Sequence, residues 1–392
     1  MEDYYGDFHI HIGRASGGEA VKITASPQLD FAGIARESVV RKGLDMVGII
    51  DCASPPVIRD IKDLLSRGEM EELPEGGLRY RDELVIILGA EVESREKGGA
   101  QAHYLAYFPY LDNLSEFSQI MEQYITNINL SSQSTGLEGR EIFQIVNSTG
   151  GVLIPAHAFT PHKSFYGSCV KTFTDIFTPH QWEQIPALEL GLSADSNLAA
   201  HLEEVSDKVF LSNSDAHSLP KIAREYNKIR MAELNFSEFK KVLFAEDGRK
   251  VTGNYGLDPR LGKYHRSFCP DCEKSFSSKE PVLVCPKCGQ KSLIKGVKDR
   301  VLNIGQKPES GNGDYPPYIY QVPLLDIPGI GEQTLKRLLG EFNTEMEILH
   351  NTELNELKKA VSPKLAEKIE LARNGRAEIK QGGGGNYGKV KL

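Results

Sequence analysis

Asp7-Phe8-His9-Ile10-His11 is the stretch whose reading decides the rest of the chain. Side chains alternate faces along a strand, so His9 and His11 project from the same side of one strand. Two imidazoles side by side on rigid backbone are half of a zinc or transition-metal site. Further along, apolar runs meet more ligand-type residues. Asp51 follows 47–50, Glu91 follows 85–90, His103 opens a run, His157 follows 154–156, and Asn213, Asp215 and His217 follow 209–211. A lone histidine is usually a satisfied structural residue, and His162, His180, His201 and His350 are read that way. His9, His11, Glu91, His103, His157, Asp215 and His217 together instead describe a multinuclear site, with Glu91 as the candidate bridging carboxylate. Metals a few ångströms apart can clamp the attacking and leaving oxygens of a phosphoryl transfer and activate water.

The runs that carry these residues, 8–12, 45–50, 84–90, 103–108, 152–156, 187–190 and 209–211, read as strands. Helical patterns lie between several of them, at 31–42, 57–66, 115–125, 138–147 and 196–205. That alternation predicts an α/β fold with a parallel sheet, and its length suits a (β/α) barrel, in which functional groups gather at the C-terminal strand ends.

The 392-residue chain has a net charge of −8, unevenly spread. From Val251 onward there are 22 Lys and Arg against 17 Asp and Glu, a net +5, which leaves −13 in the first 250 residues. An acidic body suits a site that holds cations, and a basic tail suits a polyanion. The N-terminus shows no signal-peptide pattern and no apolar run reaches membrane-spanning length, so no membrane is expected as a partner. The cysteine usage suits a reducing compartment, and a cytoplasmic location is expected.

Cys269-Pro-Asp-Cys272 and Cys285-Pro-Lys-Cys288 form two knuckles twelve residues apart, the spacing of one structural zinc held by four thiolates. Around them lie Arg260, Lys263, Arg266, Lys274, Lys279, Lys287, Lys291, Lys295, Lys298 and Arg300, read as a surface for a phosphate backbone. Polar, Gly- and Pro-rich linkers are expected over 245–260 and 304–317. The proposed division is 1–245 for the metal-bearing domain, 246–304 for linker plus cysteine module, 318–380 for a compact helical domain, and 381–392 for a flexible Gly-rich tail.

Asp7-Phe8-His9-Ile10-His11, Gly89-Ala90-Glu91, His157 and Asp215-Ala216-His217 resemble the motifs of the polymerase and histidinol phosphatase (PHP) family. The resemblance implies a distorted (β/α)7 barrel whose metals hydrolyse phosphate esters. By that likeness His9, His11, Glu91 and Asp215 hold one metal, Glu91, His103 and His157 a second, and His217 contributes to a third; Asp215, Glu91 and His217 carry the catalysis. Two or three divalent metals, zinc, manganese or magnesium, are implied. Many members have Asp-His where this chain has Asp51-Cys52, and Cys52 reads as a thiolate ligand or, more in keeping with a lone strand-end cysteine, as buried filler. Pro323-Leu-Leu-Asp-Ile-Pro-Gly-Ile-Gly331 resembles a helix-hairpin-helix motif. There Gly329 and Gly331 would present backbone N–H groups to a DNA phosphate, Ile330 would anchor the hairpin, and Lys336 would lie on the following helix.

A phosphoesterase followed by a four-cysteine module and a helix-hairpin-helix domain resembles the endonuclease Q family of PHP-type repair nucleases. The resemblance spans the whole chain and includes Asn254-Tyr-Gly-Leu-Asp-Pro-Arg-Leu-Gly-Lys-Tyr264 by position. It implies cleavage of double-stranded DNA 5′ to a deaminated base (hypoxanthine, uracil, xanthine) or to an abasic site; because deaminated bases pair weakly, the lesion is expected to be flipped out of the stack into a pocket. It also implies a sliding clamp as partner, although no clamp peptide is found; the Gly-rich tail is the segment open to such docking. Nothing in the residues identifies the lesion pocket, for which Asp195 and Trp182 are candidates. A small-molecule phosphatase shares the barrel but needs no DNA-gripping modules, and a non-catalytic DNA-binding scaffold would load zinc only at the cysteines.

Overall fold

The computed structural model describes residues 1–276, 278–306 and 315–392; positions 307–314 of the expected second linker lie outside them. Its strands are β1 (Glu2–Ile10), β2 (Met46–Ile49), β3 (Met70–Glu72), β4 (Leu78–Tyr80), β5 (Leu84–Glu93), β6 (His103–Phe108), β7 (Val152–Pro155) and β8 (Ala187–Glu189). There follow β9 (Val209–Leu211), β10 (Tyr226–Met231), β11 (Lys250–Gly256), β12 (Phe268–Cys269), β13 (Lys274–Ser275), β14 (Tyr318–Tyr320), β15 (Glu378–Lys380) and β16 (Lys389–Lys391). One ten-stranded sheet runs β14-β11-β10-β1-β2-β5, with β4-β3 and β6-β7 continuing from the two halves of β5. Strands β8 and β9 pair separately and in parallel.

The sheet is mixed, not parallel as the βα alternation predicts. Strands β1, β2 and β5 are parallel, but β6 runs antiparallel to both β5 and β7, and β10 to both β1 and β11. The physical reason is connection length: only 94–102 join β5 to β6, too few residues for a helical crossover. Helices Phe31–Glu37, Pro55–Ser66, Leu111–Met121 and Gly139–Ser148 form close to where periodicity places them. The first is capped by Asp30, whose carboxylate accepts from the Gly33 N–H, a contact worth about 1 kcal/mol. The helix expected over 196–205 is reduced to Ser196–Ala199 and a single turn at Glu203–Val205, because Leu202 takes an extended conformation and is buried.

What positions the site is the face pattern of β5 and β6. Val85 and Ile87 enter an apolar core with Phe8, Leu105, Tyr107, Ile154 and Phe239, each contributing roughly 1.5–3 kcal/mol by burial. The same face of β5 continues through Gly89 to Glu91 and Glu93, and that of β6 runs back from Leu105 to His103. An apolar floor thus ends in ionisable groups. Glu91 lies inside β5, not past its end, and His11 lies just beyond β1.

Strands β11 and β14 belong to the large sheet, so the sheet crosses the boundaries expected at 245 and 318. Helices Glu332–Phe342, Glu345–His350, Leu354–Ala360 and Pro363–Arg373 make up the C-terminal helical region. Both carboxylate oxygens of buried Glu345 take the Lys42 ammonium at 3.0 Å. His350 stacks on Tyr5 at 4.4 Å and shares a hydrogen bond with the Tyr226 hydroxyl at 2.6 Å. The segment expected as a flexible tail is folded back: β15 and β16 pair, and the Gly382 and Gly388 N–H groups donate to the carbonyls of Arg260 and Leu261. Among the described residues, no helix is long and apolar enough to cross a membrane.

Candidate metal centre

The fold brings all seven ligand-type residues to one place: six form two clusters, with Glu91 of the second facing the first, and His217 lies beside them. In the first, Nε2 of His9 and Nε2 of His11 are 3.3 Å apart, and Asp215 Oδ1 lies 3.5 Å and 3.2 Å from them. In the second, Glu91 Oε1 is 2.9 Å from His103 Nδ1 and 3.6 Å from His157 Nε2. The same oxygen is 3.7 Å from His9 Nε2, and Oε2 is 3.9 Å from His11 Nε2. Each cluster converges three protein donors on a space the size of an ion. His217 stands beside them, its Nε2 3.2 Å from Asp215 Oδ1 and its Nδ1 3.2 Å from the Thr24 hydroxyl.

The donor chemistry fits divalent metal. His9 turns Nδ1 to Glu189 at 2.9 Å, and His11 turns Nδ1 to Asp51 at 3.0 Å. Each Nδ1 thus faces an outer carboxylate, which leaves the two Nε2 atoms facing one another and Asp215 Oδ1. His103 Nδ1, despite its approach to Glu91, makes no hydrogen bond and is buried. A divalent cation is one partner that would satisfy these inward-facing atoms and the carboxylates beside them together. Burial opposes charge on His9, but Glu189, Asp215 and Glu91 outweigh it, so its pKa is pushed up to about 10. Burial likewise opposes the charge of Asp215 and Glu91, yet the surrounding imidazoles, and Lys22 at Glu91, hold both well below the usual carboxylate range.

Two of the ligand-type residues sit on unusual backbone. His157 has φ +30° and Asp215 has φ +46°, both left-handed and both just past a strand. Non-glycine residues held there carry strain, which concentrates where a side chain must be aimed. Glu189 Oε2 accepts the His157 N–H at 2.7 Å, and Ala216 bonds backbone to backbone with His9 and His11, which locks both turns.

Glu189 escapes a reading of the sequence although it ends β8; a carboxylate inside an apolar run is the available signal. Glu93, which meets His103 Nε2 at 3.1 Å, has the signal of spacing, two residues from Glu91. Lys22, whose ammonium reaches Glu91 Oε2 at 2.8 Å, has none. Cys52 is fully buried, with its Sγ against the Ile49 carbonyl and its thiol pKa raised by burial, so it is filler and not a ligand. Neither lesion-pocket candidate reaches the centre's cavity. Trp182 is buried among Phe165, Phe173 and Phe177, and Asp195 caps a helix and accepts from the Tyr320 hydroxyl. A cavity of about 210 Å³ does open beside the centre, lined by His157, Asn213, Asp215, Lys263, Tyr264 and Tyr387 among others.

The four cysteines converge with Sγ separations of 3.7 Å (Cys269–Cys288) and 3.9 Å (Cys272–Cys285). A tetrahedron of 2.3 Å Zn–S bonds has edges of roughly 3.8 Å, so zinc fits. Two of the cations assigned to the DNA surface are instead buried and structural: Arg266 pairs with buried Asp299, and Arg300 donates to the Tyr166 and Val170 carbonyls, whereas Arg260 pairs with Asp258 and stays exposed. In the helical region Gly329 has φ +107°, which glycine alone adopts readily, and Ile330 is buried while Lys336 is exposed. At Gly331, the N-cap of Glu332–Phe342, a Cβ would meet open space, so no steric need explains that glycine.

No family model matches the chain. The uncharacterized protein YqxK of Bacillus subtilis is 42% identical over 393 residues, covering 100% of both chains. The crystal structure of the lesion-specific endonuclease PfuEndoQ from Pyrococcus furiosus is similar with a TM-score of 0.83 and 31% identity, covering 100% of this chain and 96% of that one. An endonuclease Q complex with a 27-mer duplex substrate carrying an abasic lesion at the active site gives a TM-score of 0.82 and 31% identity, covering 100% and 97%.

Proposed function

The chain belongs to the endonuclease Q family, and from that premise we propose that it is a metal-dependent DNA repair endonuclease. It hydrolyses the phosphodiester 5′ to a deaminated base or an abasic site in duplex DNA. The carrying observation is the pair of donor clusters with Glu91 between them, of which His157 and Asp215 line the 210 Å³ cavity. His9, His11, Glu91 and Asp215 hold one metal, Glu91, His103 and His157 a second, and His217 supports the rim beside Asp215. Two divalent cations held there supply Lewis-acid charge neutralisation and water activation at neutral pH. Glu189 and Asp51 keep His9 and His11 in the tautomer whose Nε2 is free to ligate. Lys22, paired with Glu91 Oε2 at 2.8 Å, offsets that carboxylate's charge beside the metal donors. The cavity receives the flipped lesion nucleotide, since a weakly paired base costs less to extrude.

The wall around the centre is read as a distorted (β/α)7 barrel built mainly from 1–245, its sheet extended past that boundary by β11 and β14. The four-cysteine zinc module in 246–304 and the helix-hairpin-helix in 318–380, through Gly329, Ile330, Gly331 and Lys336, grip phosphates without reading sequence. The test is a panel of duplexes, each with one hypoxanthine, uracil, xanthine or abasic site, incubated with magnesium, manganese or zinc. Nicking 5′ to the lesion is expected, with loss in Asp215→Ala. Release of phosphate from small monoesters without nicking would assign a phosphatase instead.

A further inference from the structure

The hairpin of β15 and β16 is tightly packed where a loose tail was expected. Its turn is closed by Gly383 and Asn386, which exchange backbone hydrogen bonds at 2.9 and 3.1 Å. A Cβ on Gly388 would lie 2.4 Å from the Lys380 carbonyl and 3.0 Å from Leu261 Cα, and one on Gly384 would lie 2.6 Å from the Phe268 ring. These glycines permit close approach to 260–262 and to the cysteine module; they do not signal looseness.

That packing delivers Tyr387 to a definite position. Its ring is half exposed and lies 4.7 Å from the Lys263 ammonium. It lines the 210 Å³ cavity that contains His157, Asn213 and Asp215. It also lines a second cavity of about 410 Å³ that contains Lys221, Arg224 and Lys389, with Asp326 beside Lys221 at 3.6 Å and apolar Leu257, Val322 and Val390. Arg224 is tied to the metal-side backbone, donating to the Ser214 and Asp215 carbonyls at 2.7 and 3.3 Å. Tyr387 therefore borders both a chamber beside the metal donors and a second one in which Arg224 and Lys389 are cations suited to phosphate.

We propose that Tyr387 is a specificity-determining residue that closes the lesion chamber and stacks on the base entering it, while Arg224 and Lys389 take the neighbouring phosphate. An aromatic face is sequence-tolerant, because every base offers a π surface. This suits a site that must accept more than one altered base. An abasic nucleotide has nothing to stack and gains little from the ring. The proposal rests on the endonuclease reading of the same site.

The experiment compares wild type, Tyr387→Ala and Tyr387→Phe on duplexes with one deoxyinosine or one abasic site, and on bis(p-nitrophenyl) phosphate. Tyr387→Ala is expected to lower kcat/KM for deoxyinosine roughly 10-fold or more, the scale of one lost base–aromatic stack. Abasic cleavage and small-diester hydrolysis are expected to change less than about 3-fold, and Tyr387→Phe, which keeps the ring, to behave like wild type. Equal losses on the two lesions, no loss on either, or loss of small-diester hydrolysis would overturn the proposal. Failure of wild type to nick either duplex would instead sink the endonuclease reading itself, so the two failures are distinguishable.

Discussion

Nε2 of His9 and Nε2 of His11 face each other at 3.3 Å while each ring's Nδ1 is committed to a carboxylate, Glu189 for one and Asp51 for the other. Two acceptors at that separation repel unless a proton or a cation lies between them. The outer carboxylates thus decide what the inner nitrogens can bind.

Glu189→Gln tests this directly. The amide keeps the shape but loses the charge that orients His9 and accepts the His157 N–H. Metal affinity is expected to fall roughly 10- to 100-fold with the fold unchanged. Titration of the metal-stripped protein, alongside circular dichroism, measures both.

Glu91 and Cys52 should behave oppositely. Glu91 lies between both donor clusters, so Glu91→Gln is expected to lower nicking at least about 100-fold, close to 2.7 kcal/mol of barrier. Cys52→Ala should leave nicking within about twofold and cost on the order of 1 kcal/mol of stability from lost packing. A large loss of activity in Cys52→Ala would show that the thiol ligates after all.

The cysteine cluster predicts a separable defect. Cys272→Ser should reduce bound zinc by one atom per chain, since zinc closes a site that three thiolates hold poorly. Lesion-duplex nicking should fall while hydrolysis of a small diester persists. Metal analysis with the two assays reads this out; parallel loss of both activities would assign the module to support of the metal centre.

His350 gives a pH dependence with a defined sign. Burial, with Lys228 and Arg373 nearby, depresses its pKa to about 4. The ordinary value is about 6.5, so the unfolded chain binds the proton more tightly. Its contribution to stability is complete above pH ~6.5, declines as pH falls towards 4, and is flat below. Thermal melts of wild type and His350→Gln across pH 7.5 to 4.5 should converge at the acid end. A constant gap between the two curves would contradict the assignment.

Much of the site is legible in the sequence because metal ligands keep their chemical type. The predicted strand at 103–108 forms with those bounds, and 209–211 likewise, since short apolar runs have few alternatives. The helix at 196–205 fails because burial of Leu202 outweighs local periodicity. The Gly-rich end departs from expectation for a related reason. Glycine marks either slack chain or close approach, and only the neighbouring backbone distinguishes them.

By itself the sequence determined the list of donors, from His9 and His11 to Asp215 and His217, the four-cysteine cluster, and an α/β body with a helical C-terminal region. Those are properties of residue type, spacing and local period. The tertiary structure alone decided that β6 runs antiparallel, that Glu91 stands between two donor clusters, and that Glu189 and Asp51 orient the histidines. It also decided that Tyr387, from a hairpin at the far end of the chain, lines the cavity beside Asp215. Each of these is a contact between residues distant in sequence, and no local pattern encodes which distant partner a side chain will meet.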